Sequence, residues 1–152
     1  MGVCFLDTSA LVKLYVREPG TEEMVRLASP SSGQTLALLS VARVEFRAAV
    51  RRRERLGDIP RDAVDALIAR MEKHLQDLYL VQPVTDAVVE EATALLDRYP
   101  LRAYDAMQLA GCLALRSRLG ERPSFICSDR DLLAAAENEG LTALDPAQQS
   151  LV

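Results

Sequence analysis

The 152-residue chain has no tryptophan, a single histidine (His74), and three cysteines, Cys4, Cys112 and Cys127. One imidazole excludes a histidine-rich metal site and any relay that needs a second histidine. His74 lies on a charged stretch with Arg70, Glu72, Lys73 and Asp77 and reads as a surface residue. The cysteines are odd in number, have apolar neighbours and form no C-x-x-C pair, which argues against a thiolate zinc site and for buried thiols in a reducing compartment. No apolar run approaches the roughly 20 residues that span a bilayer. The opening Met1-Gly2-Val3-Cys4-Phe5-Leu6-Asp7 lacks a basic segment, and Asp7 cuts its apolar run short, so no secretory signal is expected. Leu6 also stands where a myristoylation motif needs Ser or Thr. The expectation is a cytoplasmic protein without membrane contact. An excess of positive charge is missing too: the net charge is −4, unlike the footprint of a nucleic-acid binder. Arg51-Arg52-Arg53-Glu54-Arg55, preceded by Arg43 and Arg47, is the local exception. It reads as a phosphate-attracting patch or as a solvated helix end whose cations complement the dipole, and the two are compatible.

What is present is enough for one domain, residues 1–145, with a tail at 146–152. Val3 to Leu6 is a short, wholly apolar run, the mark of a strand buried on both faces. Helical spacing follows from residue 8 to about 17, closed by Glu18-Pro19-Gly20, and Thr21 opens a short helix with Met24, Val25 and Leu27. After a loop at Ser29–Gly33, Gln34–Leu38 reads as a second strand. Ser40 stands where it would cap a long helix to Leu56, ended by Gly57. Asp58-Ile59-Pro60 starts another, amphipathic through Val64, Leu67, Ile68, Met71 and Leu75, and Leu78–Gln82 is a third strand. Thr85 or Asp86 caps a helix to about Arg98, stopped by Tyr99-Pro100; residues 103–118 form the next. Ser124–Cys127 is a fourth strand, Asp129 opens a helix to Glu139 with Gly140 as its cap, and Leu141–Leu144 is a last strand. Strands alternating with helices predict a three-layer α/β/α sandwich around a mostly parallel sheet.

In such a sheet, ligands bind beyond the C-terminal ends of the strands. Two apolar strands end there in an acid, at Asp7 and Asp129. Glu45, in the second turn of its helix, and Asp105, in a first turn, belong to helix starts on the same rim. Three of the four have an ordinary explanation to be weighed. Asp7 before Thr8-Ser9 is a good N-cap, Asp129 or Asp131 caps the following helix, and Asp105 favours its helix dipole. Glu45, set among Val41, Ala42, Val44 and Phe46, has no such explanation. Several carboxylates at one place repel one another unless a cation neutralises them. Arg43 and Arg102 are expected to point elsewhere by helical spacing. A hard divalent ion, Mg²⁺ or Mn²⁺, suits an oxygen-only set and supports hydrolysis of a phosphodiester by in-line attack of water.

Four segments in order resemble the PIN domains, and within them the toxin components of bacterial VapBC-type toxin–antitoxin pairs. They are Phe5-Leu6-Asp7-Thr8-Ser9-Ala10-Leu11-Val12, Ser40-Val41-Ala42-Arg43-Val44-Glu45-Phe46, Leu101-Arg102-Ala103-Tyr104-Asp105-Ala106-Met107-Gln108-Leu109-Ala110, and Ser128-Asp129-Arg130-Asp131-Leu132 with Ala135-Ala136 and Gly140-Leu141. The third is the most specific; an isolated L-D-T-S would be weak. The resemblance implies a metal-dependent endoribonuclease acting on RNA, a small antitoxin partner held in part by the helices at 41–56 and 61–76, and a homodimer. By it Asp7, Glu45 and Asp105 are the core acids, Asp129 is a fourth ligand often bound through water, and Ser9 is a supporting hydroxyl. Cys127 departs from the family pattern, which often has Thr there, and this weakens the hydrogen bonding expected around Asp129.

Two other readings compete. A haloacid-dehalogenase-type phosphatase also starts from a strand-end Asp but needs a second Asp two residues on, where this chain has Ser9. A catalytically silent PIN-like module that only binds RNA or protein has no reason to retain a repulsive acidic cluster.

Overall fold

A computed structural model of the protein describes residues 2–151; Met1 and Val152, the outermost residues of the expected domain and tail, lie outside the described residues. The elements are β1 (Gly2–Leu6), α1 (Thr8–Val12), α2 (Thr21–Ala28), a 3-10 turn (Pro30–Ser32), β2 (Gln34–Leu39), α3 (Ala42–Arg55) and α4 (Arg61–Asp77). They continue with β3 (Leu80–Gln82), α5 (Asp86–Arg98), α6 (Ala103–Leu119), β4 (Ser124–Ile126), α7 (Arg130–Asn138) and β5 (Thr142–Leu144). The five strands form one sheet in the order β3-β2-β1-β4-β5, and every pairing is parallel. The expected sandwich is present, with a wholly parallel sheet.

Period-2 alternation divides the apolar residues of the strands between two cores. Cys4 and Leu6 of β1, Leu36 and Leu38 of β2 and Ile126 of β4 pack beneath α1–α4 with Leu11, Met24, Phe46 and Met71. Phe5, Ala37, Leu39 and Phe125 face the other way, against α5–α7. Phe5 and Phe125 are paired in register and stack at 5.9 Å between ring centroids. Helix α6 crosses this second face closely because residue 111 is glycine: a Cβ there would lie 2.7 Å from Leu39 Cδ1 and 3.3 Å from Phe5 Cζ. The close seat of α6 brings its first turns to the C-terminal rim of the central strands.

Several local expectations are revised. Helix α1 is only Thr8–Val12, and irregular turns carry the chain on to Gly20. Ser40 does not cap α3; Val41 occupies that place in helical conformation, and the Ser40 hydroxyl accepts a hydrogen bond from Val84 N–H instead. Glu45 therefore lies in the first turn of α3. Strand β3 begins at Leu80, since Leu78 and Tyr79 are used to end α4. His74 is not a free surface residue: it is half-buried, and its Nδ1 lies 2.7 Å from the hydroxyl of buried Tyr15, itself 2.6 Å from Tyr79 Oη. All three cysteines are buried as expected, and burial pushes the Cys4 thiol up to about 11 and the other two higher still.

The arginine run is largely consumed within the protein. Arg43 and Arg47 reach Glu72 on α4 at 2.8 and 3.4 Å, Arg51 bridges Glu54 and Asp65 at 2.7 Å each, and Arg53 pairs with Glu18 and Asp58. The pairs to Glu72 and Asp65 clasp α3 to α4, and among the described residues only the exposed Arg52 and Arg55 of the run make no ion pair, which leaves less unbalanced charge for phosphate than the sequence suggests. Residues beyond β5 lie against α2: Pro146 is buried and Leu151 N–H donates to the Glu23 carboxylate. Among the described residues no helix is long and apolar enough to cross a membrane.

Candidate active site

The chain builds β2 and β3 on one side of β1, then returns to lay β4 and β5 on the other. The switch point is thus between β1 and β4, where parallel sheets open a crevice beyond the strand ends. Asp7 and Asp129 stand there, one after β1 and the other two residues past Cys127. Asp7 N–H donates to the Ile126 carbonyl, locking the two strand ends together. A cavity of about 330 Å³ opens at this point, lined by Asp7, Thr8, Ser9, Glu45, Arg102, Asp105, Gln108, Ser128 and Asp129. All four expected acids and Ser9 are brought together; Asp131 is exposed on α7 and does not line the cavity.

Asp7 is only 4% exposed. Its Oδ1 accepts from the Ser9 hydroxyl at 2.7 Å and from Ala10 N–H at 2.9 Å, so the capping role is real. Capping does not settle the charge. Burial pushes the Asp7 carboxyl from 3.8 up to about 7; Ser9 and Ala10 pull it down, and the charges of Asp105 and Glu45 add to the rise. Its Oδ2 takes no hydrogen bond from the described residues. Ser9 also accepts from Ser128 N–H at 3.2 Å, so one hydroxyl ties the β1 loop to the β4 loop while orienting the carboxylate. A second carboxylate at position 9, as the dehalogenase-type reading requires, would put two acceptors face to face where a donor stands.

Glu45 is half-buried, and desolvation raises its carboxyl, opposed by hydrogen bonds from Gln108 and Thr8. Gln108 Nε2 donates to Glu45 Oε1 at 2.9 Å and to Thr8 Oγ1 at 3.2 Å, while its own Oε1 is buried without a partner among the described residues. Gln108 was not singled out from the sequence. The signal was available: a polar residue on the buried face of α6, three positions after Asp105 and flanked by Met107 and Leu109.

Asp129 caps α7, its Oδ1 accepting from Leu132 N–H at 2.9 Å. Cys127 Sγ reaches only the Asp129 backbone oxygen, at 3.8 Å, so the carboxylate gains nothing from the position where Thr was expected. Asp105 is in the first turn of α6 and pairs with Arg102, whose Nε lies 3.0 Å from Asp105 Oδ2; Arg102 Nη2 is 3.8 Å from Asp129 Oδ2. This corrects the expectation that Arg102 points away. Helical spacing does not apply to it, because Arg102 is the N-cap residue with extended backbone (φ −77°, ψ 158°), and its side chain folds over the mouth of the cavity. Arg43, inside α3, does point elsewhere, toward Glu72.

The donor set is all oxygen and carries four acids against one guanidinium. As they stand, no group of three or more His, Cys, Asp or Glu side chains among the described residues is arranged to hold a metal ion. The carboxylates are turned to donors within the chain: Ser9 and Ala10 for Asp7, Gln108 for Glu45, Arg102 for Asp105, Leu132 for Asp129. The burial of the Asp7 carboxyl, to which the neighbouring acids add, its unused Oδ2, and a Gln108 Oε1 without a partner among the described residues fit a site that gains by taking up a cation.

Comparison with known proteins gives the family and the fold. Ribonuclease VapC47 of Mycobacterium tuberculosis (strain CDC 1551 / Oshkosh) is 28% identical over 144 residues, covering 93% of this chain and 96% of its own length. Among solved structures, a chain of a toxin–antitoxin complex from Klebsiella pneumoniae matches with a TM-score of 0.65 at 15% identity, over 94% of this chain and 97% of that one. Mycobacterium tuberculosis VapC20, a sarcin–ricin loop cleaving toxin, matches at 0.63 and 21% identity, over 88% and 95%. At those identities the structural likeness speaks to the fold alone. The sequence profile of the PIN domain matches residues 4–139, which spans every segment that carries an acid of the cavity. The chain belongs to the PIN domain family.

Proposed function

We propose that this protein is an endoribonuclease that hydrolyses RNA phosphodiester bonds with Mg²⁺ or Mn²⁺, and that it is the toxin of a toxin–antitoxin pair acting in the cytoplasm. The observation that carries the reading is the gathering of Asp7, Glu45, Asp105 and Asp129 in one cavity at the switch point of a parallel sheet, with Asp7 pushed up to about 7. Asp7, Glu45 and Asp105 are the core ligands in this reading, with Asp129 as a fourth. A divalent ion bound there supplies Lewis acidity to a phosphate oxygen and to the attacking water, and neutralises the cluster.

The protein's own groups have distinct parts. Ser9 aims Asp7 by donating to Oδ1, which leaves Oδ2 without a donor among the described residues. Gln108 and Thr8 hold Glu45, restricting its rotamers on the far wall. Ser128 N–H, fixed by Ser9, keeps the Asp129 loop against the Asp7 loop. The names of the related proteins, a ribonuclease and a sarcin–ricin loop cleaving toxin, support the substrate class, and the toxin–antitoxin complex supports a small protein partner. A homodimer follows from the family resemblance.

Purified protein should cleave RNA, stop in excess EDTA and recover with Mn²⁺ or Mg²⁺, while Asp7→Asn and Asp105→Asn lose most of the activity. Cleavage that persists in EDTA, or in both variants, with contaminating nuclease excluded, overturns the metal mechanism. Expression should arrest growth of the host and co-expression of the antitoxin should restore it. A wild-type protein that cuts RNA yet is harmless and binds no partner keeps the nuclease and loses the toxin.

A further inference from the structure

Arg102 is the one cation among the residues that line the acidic cavity. Its side chain is 81% exposed, whereas the carboxylates it faces are much less so, 17% for Asp105 and 37% for Asp129. Among the described residues, only Nε of its five N–H donors makes a hydrogen bond, to Asp105 Oδ2 at 3.0 Å; Nη2 is drawn toward Asp129 Oδ2 but stops at 3.8 Å. The guanidinium is therefore held by charge rather than by a bidentate fit, and its planar fork is left open to solvent. The backbone is held, since the Arg102 carbonyl accepts from Ala106 N–H at 3.0 Å, but the side chain is exposed and projects from the end of the helix, so it is the guanidinium that has room to move. Its field also reaches Glu45, whose carboxyl it pulls down against the effect of burial.

Two demands meet at this residue. Oδ2 of Asp105 and of Asp129 face the same guanidinium, so a cation that uses either oxygen must displace Arg102 or share the carboxylates with it. A guanidinium released at the mouth of a phosphodiester-cleaving cavity has its fork donors matched to phosphate oxygens. On α3, Arg43, Arg47, Arg51 and Arg53 are already paired with Glu72, Glu54, Asp65, Glu18 and Asp58, and the exposed Arg52 and Arg55 lie in the last turn of that helix, outside the cavity lining.

We propose that Arg102 is an exchangeable countercharge: it holds Asp105 and Asp129 together in the metal-free protein, competes with the divalent ion for them, and once displaced contacts the backbone phosphate of the RNA. The inference rests on the nuclease reading above. It makes Arg102 oppose metal binding and favour substrate binding, two effects that a merely structural residue would not produce together.

The test is Mn²⁺ binding by calorimetry to wild type, Arg102→Gln and Arg102→Lys, beside binding of a fluorescein-labelled single-stranded RNA in saturating Ca²⁺, read by anisotropy over a range of salt. Arg102→Gln should bind Mn²⁺ tighter by about 2- to 10-fold, the scale of an exposed ion pair plus the repulsion it removes. The same variant should bind RNA more weakly, and its log Kd should depend less steeply on log salt, by close to one phosphate contact. Arg102→Lys keeps the charge without the fork, so its Mn²⁺ affinity should stay near wild type while RNA binding recovers only in part. Equal Mn²⁺ affinity in wild type and Arg102→Gln, with metal-dependent cleavage intact, overturns the countercharge and leaves the nuclease reading standing. Unchanged RNA affinity and salt slope overturn the phosphate contact. Absence of Mn²⁺ binding in the wild type overturns both this inference and the metal reading beneath it.

Discussion

Replacing Asp7 by asparagine should stabilise the metal-free protein, and the amount is set by how far burial has displaced the carboxyl. In the folded chain Asp7 is 4% exposed and moves from 3.8 to about 7, chiefly through desolvation. The folded state then keeps a proton that the unfolded chain releases between those values. Proton binding by the folded state stabilises it at low pH, and that contribution is lost as pH rises through about 7, after which stability levels off. At about 1.4 kcal/mol per pH unit, the ionised wild-type side chain costs about 4 kcal/mol above neutrality. Asparagine retains an Oδ1 acceptor for the Ser9 hydroxyl and Ala10 N–H, whose charge-assisted part is already contained in the net rise; the offsetting cost is its amide N–H₂ group, placed where Oδ2 has no hydrogen-bond partner among the described residues, about 1–2 kcal/mol. The net gain near pH 8 is about 2–3 kcal/mol, which raises Tm by about 5–15 °C in a domain of this size. Near pH 4 the gain should vanish. Glu45 is raised for the same leading cause and leaves a smaller slope of the same sign in the variant. Thermal melts in EDTA across this pH range, repeated with Mn²⁺, read all of this; Mn²⁺ should raise Tm in wild type and much less in Asp7→Asn. A variant no more stable than wild type near pH 8 in EDTA, or a wild type whose stability is flat from pH 4 to 7, would refute the argument.

Ser9→Ala removes both the donor to Asp7 and the acceptor for Ser128 N–H, at a cost of about 1 kcal/mol in stability. With that hydrogen bond gone Asp7 should hold its proton to higher pH, so Mn²⁺ affinity should fall at neutral pH and recover in alkali; equal affinity at both would show that Ser9 does not orient the acid. Gly20→Ala should destabilise by about 2–4 kcal/mol, because φ is +94° and a Cβ would lie 2.9 Å from the Ala147 nitrogen. Denaturant melts and faster proteolysis at the C-terminal segment would report it, and a neutral effect would mean that residues 146–151 do not pack as described. Gly111→Ala should cost about 1–3 kcal/mol by pushing α6 away from Leu39, and an unchanged Tm would count against the close seat of that helix.

Much of this was legible in the chain itself. Apolar runs bounded by turn residues marked the five strands, and the strand-end acids Asp7 and Asp129 followed from counting past those runs. Boundaries were less legible where two roles compete for one residue. Ser40 has the chemistry of a cap, but its hydroxyl is taken by Val84 N–H, a residue that reaches it only once β2 and β3 are paired. His74 lies in a charged sequence and still turns inward, because Tyr15 and Tyr79 arrive from elsewhere in the fold to meet it. Arg102 escapes helical periodicity because its backbone is extended, so its side chain turns to Asp105 instead of following the faces of α6.

By itself the sequence determined the layer order, the alternation that sends Leu6 to one core and Phe5 to the other, and the presence of four acids at element ends. Those properties are local or periodic, and a backbone of fixed geometry turns them directly into faces and ends. Only the tertiary structure decided which of the acids is sealed from water and which meets a cation. Asp7 is sealed by the strands around it and pushed up to about 7, while Asp105, on the same rim, is met by Arg102. Burial and the approach of charges distant in sequence determine that difference, because desolvation and Coulomb energy depend on distances that no linear spacing contains.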